Sequence, residues 1–174
     1  MKKQKITLEL IESFNPCYNP AIIGFTEDMV LTPLDVIRRA NEANSNEDVI
    51  WLLCREHFMS KKDLRLFSVQ CARDALKLVG NPDIRSLKAC NVVEMYAYGK
   101  ATEEELTTAA YAAHDAYYAY TTTNTDAAAA YAAYAAATYA THAATYAAAY
   151  YAAYKHHNLA EIQLQKLKEY FTQQ

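Results

Sequence analysis

The chain has few of the residues that interrupt helices: only 3 glycines and 4 prolines occur among its 174 residues. Gly24, Gly80 and Gly99 stand far apart, so the glycine clusters of Rossmann and P-loop nucleotide sites are absent and those folds are excluded. A β-sandwich or barrel, with its many glycine- and proline-rich turns, is equally disfavoured. In contrast, 32 residues are alanine, the strongest helix former. The composition therefore predicts an all-α protein.

The chain also lacks a charge excess and a cysteine motif. Its 17 Lys and Arg against 20 Asp and Glu give a net charge of -3, which is no electrostatic footprint for DNA or RNA. The cysteines at positions 17, 54, 71 and 90 form no C-x-x-C pair and no zinc-ribbon spacing. We expect reduced, mostly buried thiols. Glu9 and Glu12 interrupt any signal-peptide apolar region, so we expect a cytoplasmic protein.

Helix starts are marked by hydroxyl residues followed three positions later by an acid. In such a capping box the hydroxyl accepts a hydrogen bond from the backbone N–H of the acid, and the carboxylate accepts one from the cap. The pairs are Thr32 with Asp35, Ser45 with Asp48, Ser60 with Asp63, and Thr102 with Glu105. Asn81-Pro82 predicts a fifth start, with Asn as the cap and Pro in the first helical position.

Helix ends are predicted at Gly80 and Gly99, because glycine after an apolar residue is typical of a left-handed helix terminus. Together with the starts they predict helices over 33–43, 47–58, 61–79, 83–98 and 103–120. Short connections favour antiparallel neighbours in a multi-helix bundle or helical array. One helix has an apolar face at steps of three or four, formed by Leu64, Phe67, Cys71, Ala75 and Leu78.

The first 31 residues give weaker signals. Ile6, Leu8 and Leu10 alternate like a strand, but Thr7 can cap a short helix, which we prefer in a helical chain. The segment 15–28 contains two prolines and one glycine and is interpreted as a loop.

An uncharged tract from Ala127 to Tyr154 contains 17 Ala, 7 Tyr, 3 Thr and one His. It is long enough to span a bilayer, but it lacks the Leu, Ile, Val and Phe that drive insertion, so we expect no membrane span. Five residues of low helix propensity, 121–125, precede Asp126. They predict a helical hairpin with arms over 103–120 and 126–157.

The second arm of this hairpin gathers its large side chains on one side. Projection at 100° per residue places five of them in one arc: Tyr131, Tyr139, His142, Tyr146 and Tyr150. The opposite side is mainly alanine. Two interpretations stay open, because rows of rings fill helix interfaces and tyrosine is also enriched where proteins bind partners.

We predict one domain over 1–174, divided into an N-terminal segment (1–31), capped helices (32–100), the Ala/Tyr-rich hairpin (101–157) and an amphipathic C-terminal helix (158–174).

Cys54 and His57 lie three residues apart and could pair as nucleophile and base, but cysteine beside Leu52-Leu53 is typical of a core. His156-His157 has no further ligand at helical spacing. We therefore expect no enzyme, no metal site and no cofactor.

Four segments together resemble a known family: Trp51–Glu56, Asp63–Arg73, Asn81–Ser86 and Tyr98–Leu106, followed by an alanine-rich tail with aromatic residues. They resemble immunity proteins of bacterial polymorphic-toxin systems, which also occur in phage and gut-element genomes. The resemblance covers about residues 47–154. Members often carry Trp and Arg in the tail, where this chain has Tyr and almost no charge. The resemblance implies a non-enzymatic neutraliser and names no target.

Two functional hypotheses follow. In the first, an inhibitor covers a toxin or defence effector with its tyrosine face or its arginine-bearing helices; a homo-oligomer is compatible with either hypothesis. In the second, a phage-type sponge sequesters a nucleotide-like immune signal by tyrosine stacking and arginine contacts. Its arginines are Arg55, Arg65, Arg73 and Arg85. A closed tyrosine-lined cavity would favour the sponge, and an open aromatic face would favour the protein inhibitor.

Overall fold

The computed structural model describes residues 4–43, 45–119, 124–138, 147–150 and 158–174. Within these ranges the chain is helical and its β-pairing is limited to an isolated antiparallel bridge between Ile6 and Leu31. The predicted all-α class is thus confirmed. The helices are α1 (Leu8–Ser13), α2 (Pro33–Ala43), α3 (Asn46–Leu53), α4 (Lys61–Lys77), α5 (Ile84–Ala97), α6 (Glu103–Ala119), α7 (Asn124–Thr138) and α8 (Asn158–Thr172), with a 3₁₀ helix at Pro20–Ile23.

The chain divides into two compact units. One unit joins Met1–Leu53 to Glu161–Gln174, and the other comprises Cys54–Ala160. The expectation of a single domain over 1–174 stays a prediction.

In the first unit, two helix starts form as the sequence predicts. The backbone N–H of Leu10 donates to Thr7 Oγ1 at 3.2 Å, which confirms the short N-terminal helix. At α2, the N–H of Asp35 donates to Thr32 Oγ1 at 3.3 Å and the N–H of Thr32 donates to Asp35 Oδ2 at 3.0 Å. This reciprocal pair is the expected capping box, and α2 has the predicted bounds.

Two expectations for this unit are wrong. The segment 15–28 contains the 3₁₀ helix, because Asn19 caps it through the N–H of Ala21 and Gly24 closes it at φ +75°. Helix α3 ends at Leu53 rather than at residue 58. Leu53 is also the last residue of the N-terminal segment of this unit. Among the described atoms, Ser45 Oγ is buried without a hydrogen-bond partner, so its capping box is not formed.

In the second unit, α4 starts as predicted, with the N–H of Asp63 donating to Ser60 Oγ at 3.1 Å. It ends at Lys77, before the predicted end at residue 79, and Gly80 is not left-handed. Leu78 therefore leaves the apolar face and is 47% exposed, whereas the other four residues of that face are buried.

Helix α5 is capped by Asp83 instead of Asn81, because the Asp83 carboxylate accepts the N–H of Arg85 at 2.7 Å. It ends at Ala97, one residue before the predicted bound, and the predicted left-handed terminus at Gly99 is confirmed. Gly99 has φ +69°, the N–H of Lys100 donates to the carbonyl of Met95 at 2.8 Å, and the N–H of Gly99 donates to that of Tyr96 at 3.0 Å. These two bonds form a Schellman motif.

The predicted hairpin is present as α6 packed against α7, with α6 starting at a capping box between Thr102 and Glu105. Helix α7 starts at Asn124, earlier than expected, and also packs against α4 and α5. Because neighbours surround it, its alanines are buried around most of the helix: Ala129, Ala130, Ala132, Ala133, Ala135, Ala136 and Ala137. The rest of the predicted arm is helical at 147–150, and 139–146 and 151–157 lie outside the described residues.

Helix α8 is amphipathic as expected, with Leu159, Leu164, Leu167 and Phe171 buried and Ile162 exposed. The cysteines are reduced thiols, of which three are buried and Cys17 is exposed. No described helix combines the length and the apolarity needed to cross a bilayer.

Candidate functional site

Five rings on α6 and α7 form a continuous aromatic cluster. His114 lies 4.7 Å from Tyr118 and 4.9 Å from Tyr134, measured between ring centroids. Tyr117 lies 5.2 Å from Tyr131 and 5.3 Å from Tyr118, and Tyr131 lies 5.7 Å from Tyr134. Most of these contacts are edge-to-face, the arrangement that the ring quadrupole favours. We call these five residues the α6–α7 aromatic cluster.

The alanines of both helices explain why the rings gather at the margin of the interface. Ala113 and Ala116 of α6 and Ala132 and Ala133 of α7 are buried. The distance between helix axes depends on the side chains at the contact, so small residues permit a close approach. The rings are less buried than these alanines, so they lie at the edge of the interface. Four of the five are half-buried, and Tyr118 is 59% exposed.

A second feature lies on the outer face of α6. Its residues recur at steps of four or three and are all exposed: Glu104, Thr108, Tyr111, Asp115 and Tyr118. Tyr111 is 68% exposed, the most exposed of the large hydrophobic and aromatic side chains described. We call these residues the α6 stripe. The predicted arc contains neither the stripe nor four rings of the cluster, although the helical spacing of those on α6 could have been found by projecting α6 as well as the second arm.

Of the five predicted arc residues, the structure describes two. Tyr131 belongs to the α6–α7 aromatic cluster, and Tyr150 is 39% exposed in the helical stretch 147–150. Tyr139, His142 and Tyr146 lie outside the described residues. The arc therefore stays a prediction, and the structure adds that Tyr131 packs on the ring of Tyr117 of α6.

Two of the predicted arginines lie along the contact of α4 with α5. The Cζ of Arg65 is 4.7 Å from the ring centroid of Tyr96, and burial lowers the pKa of Arg65, against the opposing effect of Tyr96 and Glu103. Arg73 donates to Asn91 Oδ1 at 2.9 Å and pairs with Glu94 at 2.6 Å. Both guanidinium groups thus have neighbours on α5.

The other two arginines lie in different surroundings. Arg85 forms hydrogen bonds with Asp83, the cap residue of its own helix. Its Nε lies 3.0 Å from Asp83 Oδ1, and a second guanidinium nitrogen lies 2.7 Å from Oδ2. Arg55 is half-buried in the turn after α3, where its carbonyl accepts the N–H groups of Phe58 and Met59. Arg65, Arg73 and Arg85 thus contact different residues along α4 and α5, and these contacts do not bring them to one binding site.

A surface depression of about 330 Å³ lies at the end of α5, lined by Asn91, Glu94, Met95, Tyr98 and Lys100. The Nζ of Lys62 lies 4.2 Å above the ring of Tyr98. The depression is open to solvent and carries a carboxylate, so it differs from the closed tyrosine-lined cavity that would favour a nucleotide sponge.

The Cys54 and His57 pair does not lie on one helix, because α3 ends before both residues. Cys54 is fully buried, which raises the pKa of its thiol, and His57 is exposed with its ring 4.8 Å from that of Phe58. A nucleophilic cysteine needs the thiolate and access to substrate. In the part of the chain that the structure describes, no three His, Cys, Asp or Glu side chains are grouped to hold a metal ion. His156 and His157 lie outside that part.

Compared with protein-family models, curated proteins and solved structures, the chain matches none. The resemblance to immunity proteins therefore stays an expectation from the sequence.

Proposed function

We propose that the protein is a non-enzymatic inhibitor that binds a toxin or defence effector protein through the α6–α7 aromatic cluster. The observation that supports this function is a connected row of five rings on two helices whose mutual contact contains buried alanines. Tyrosine presents a large, rigid and amphipathic contact area at a low cost in conformational entropy. It is enriched at the centres of protein interfaces.

The open form of the surface favours a protein partner. Rings held by neighbouring rings are already ordered before binding, which lowers the entropy lost on association. The reduced thiols, three of them buried, are consistent with the cytoplasm as the place of action.

The test mixes the purified full chain with each toxin or effector candidate encoded beside its gene. Size-exclusion chromatography with light scattering measures the complex, and an activity assay measures neutralisation. We expect one candidate to form a stoichiometric complex and to lose its activity. If no candidate forms a complex, the proposal fails.

A matched pair of variants tests the surface. Tyr118→Ala removes a cluster ring that is 59% exposed, and Tyr98→Ala removes a ring that is 52% exposed immediately after α5. We expect Tyr118→Ala to weaken the complex at least about tenfold, as for interface residues that cost more than about 1.4 kcal/mol. Tyr98→Ala should leave the affinity unchanged, and both variants should keep the wild-type unfolding midpoint. Equal affinities for the two variants would place the interface elsewhere.

The second candidate function is sequestration of a nucleotide-like signal. The observation behind it is the depression beside Tyr98 and Lys100, where a ring and an ammonium group could hold a base and a phosphate. Titration calorimetry with cyclic and ADP-ribose-type nucleotides tests it. Heat that disappears in Lys100→Ala supports the sponge, and the absence of heat removes it. Glu94 in the lining and the open shape make this candidate second to the protein inhibitor.

A further inference from the structure

We infer that the partner surface that meets this protein is basic, and that its lysine and arginine side chains dock on the α6 stripe. The inference rests on the proposed function and gives the chemistry of its partner. It concerns the outer face of α6, which adjoins the α6–α7 aromatic cluster at Tyr118.

The stripe alternates carboxylates and rings along one exposed line. Glu104 is followed after one turn by Thr108, then by Tyr111, Asp115 and Tyr118. At 1.5 Å per residue the line is about 21 Å long, which suits a helix or strand of a partner. Two of its members are large rings that are mostly exposed, and two are acids.

Along this part of the sequence the charge is of one sign. Between Lys100 and Lys155 the sequence has no Lys or Arg, but it has five acids: Glu103, Glu104, Glu105, Asp115 and Asp126. Two of these acids form hydrogen bonds within the protein. Glu103 accepts a hydrogen bond from the hydroxyl of Tyr96, and Glu105 accepts one from the N–H of Thr102. Among the described residues neither Glu104 nor Asp115 forms an ion pair. The stripe therefore presents two carboxylates to solvent.

This combination of groups selects cations. The faces of exposed tyrosine rings attract the guanidinium of arginine and the ammonium of lysine, and carboxylates pair with the same groups. Phosphate-bearing ligands would be repelled. A second copy of the chain would also be disfavoured, because two stripes in contact would bring acids against acids.

The first experiment uses a defined probe on the isotope-labelled full chain. An arginine-rich helical peptide and a matched peptide with glutamate in place of arginine are titrated while backbone amide shifts are recorded. We expect the arginine peptide to shift the amides of Tyr111, Asp115 and Tyr118 most strongly, and the effect to weaken as salt is added. The glutamate peptide should cause no shifts. Equal shifts with both peptides, or shifts centred on another surface, would overturn the inference.

Charge-matched variants separate the stripe from the net charge of the protein. Glu104→Gln with Asp115→Asn removes two charges from the stripe, and Glu9→Gln with Glu161→Gln removes two exposed charges elsewhere. We expect the first pair to weaken binding of the arginine peptide by about tenfold, as for two exposed ion pairs of roughly 0.7 kcal/mol each. The second pair should leave the affinity within about twofold. Equal losses would show that net charge alone attracts the peptide.

The same variants distinguish this inference from the proposed function. If a toxin or effector forms a complex whose affinity does not respond to salt or to the stripe variants, the inhibitor stands and the basic partner is wrong. If the peptide binds the stripe but no toxin or effector binds, the proposed function is wrong and the cation chemistry stands. Stripe shifts that depend on protein concentration alone would show self-association and overturn the inference.

Discussion

The guanidinium of Arg65 lies over the ring of Tyr96, with Cζ 4.7 Å from the ring centroid. The hydroxyl of the same tyrosine donates to the carboxylate of Glu103. Tyr96 thus connects α4, which carries the cation, with α6, which carries the acid, from its own place on α5. Burial disfavours the charged form of Arg65, and the negative groups beside it oppose that effect. The tyrosine therefore stabilises a partly desolvated cation.

Removal of the hydroxyl and removal of the ring should have separable effects. Tyr96→Phe keeps the surface that faces Arg65 and loses only a hydrogen bond near solvent, so we expect a cost of about 0.5 kcal/mol. Tyr96→Ala also exposes the guanidinium, and we expect a total cost of about 1–2 kcal/mol. Urea unfolding monitored by circular dichroism measures both values. Equal costs would mean that the ring does not stabilise Arg65.

The hydrogen bond between Tyr96 and Glu103 also predicts that stability depends on pH. The hydrogen bond to Glu103 raises the pKa of Tyr96 above its ordinary value of 10.0. A raised pKa in the folded state means that this contribution is complete below pH 10.0 and is lost as the pH rises through the folded pKa. The stability advantage of the wild type over Tyr96→Phe should therefore shrink in alkaline solution. An advantage that is constant with pH would contradict the bond.

The capping box of α2 predicts an effect at the acidic end of the pH range. Thr32→Ala removes the hydroxyl that accepts the N–H of Asp35, and we expect a loss of about 1 kcal/mol at neutral pH. Ser13→Ala, which removes an exposed hydroxyl bonded to the carbonyl of Leu10, should cost less than about 0.5 kcal/mol. Urea unfolding of both variants makes the comparison.

The pH profile of Thr32→Ala should follow Asp35. The side-chain hydrogen bond from Thr32, together with that from its backbone, lowers the pKa of Asp35 below 3.8. The resulting stability is present above pH 3.8 and is lost as the pH falls through the folded pKa. The difference in the free energy of unfolding between wild type and Thr32→Ala should therefore become smaller as the pH falls below 3.8. A difference that widened in acid would show that Asp35 is not held by Thr32.

Helix positions were predictable where the signal is local. The boxes at Thr32, Ser60 and Thr102 and the terminus at Gly99 depend on a few neighbouring residues, and all four formed. Local signals failed where competing partners exist. Asp83 displaced Asn81 as the cap of α5, because its carboxylate binds both the N–H and the guanidinium of Arg85.

The candidate site was less predictable, because it depends on which helices meet. Periodicity along the tract grouped Tyr131 with residues further along its own helix. In the structure Tyr131 contacts the ring of Tyr117 on α6 and the ring of Tyr134, one turn away on its own helix. Such contacts arise from the close approach of α6 to α7, which a projection of one helix cannot give. The contacts of Arg65 and Arg73 likewise depend on the packing of α4 against α5.

Two glycines should respond in opposite directions to the same substitution. Gly99 has φ +69°, a conformation that costs a side-chain-bearing residue about 1 kcal/mol, so Gly99→Ala should destabilise by that amount. Gly80 has no positive φ, and a Cβ placed there meets nothing within 4 Å. Gly80→Ala should therefore stabilise by up to about 1 kcal/mol by restricting the unfolded chain. Thermal unfolding compares the two, and a loss at Gly80 would contradict its assigned conformation.

The dense alanine packing of α7 predicts that enlargement of one residue will be costly. Ala133 is fully buried on a helix that packs against α4, α5 and α6. Ala133→Leu adds three carbons where no space exists, so we expect a loss of about 1–3 kcal/mol in the free energy of unfolding. The control is Ala119→Leu on the exposed end of α6, which should change stability by less than about 0.5 kcal/mol. Urea unfolding measures both changes. If Ala133→Leu is tolerated as well as Ala119→Leu, the interface has room for larger residues, and close approach of the helices is not what drives the rings of the α6–α7 aromatic cluster to its margin.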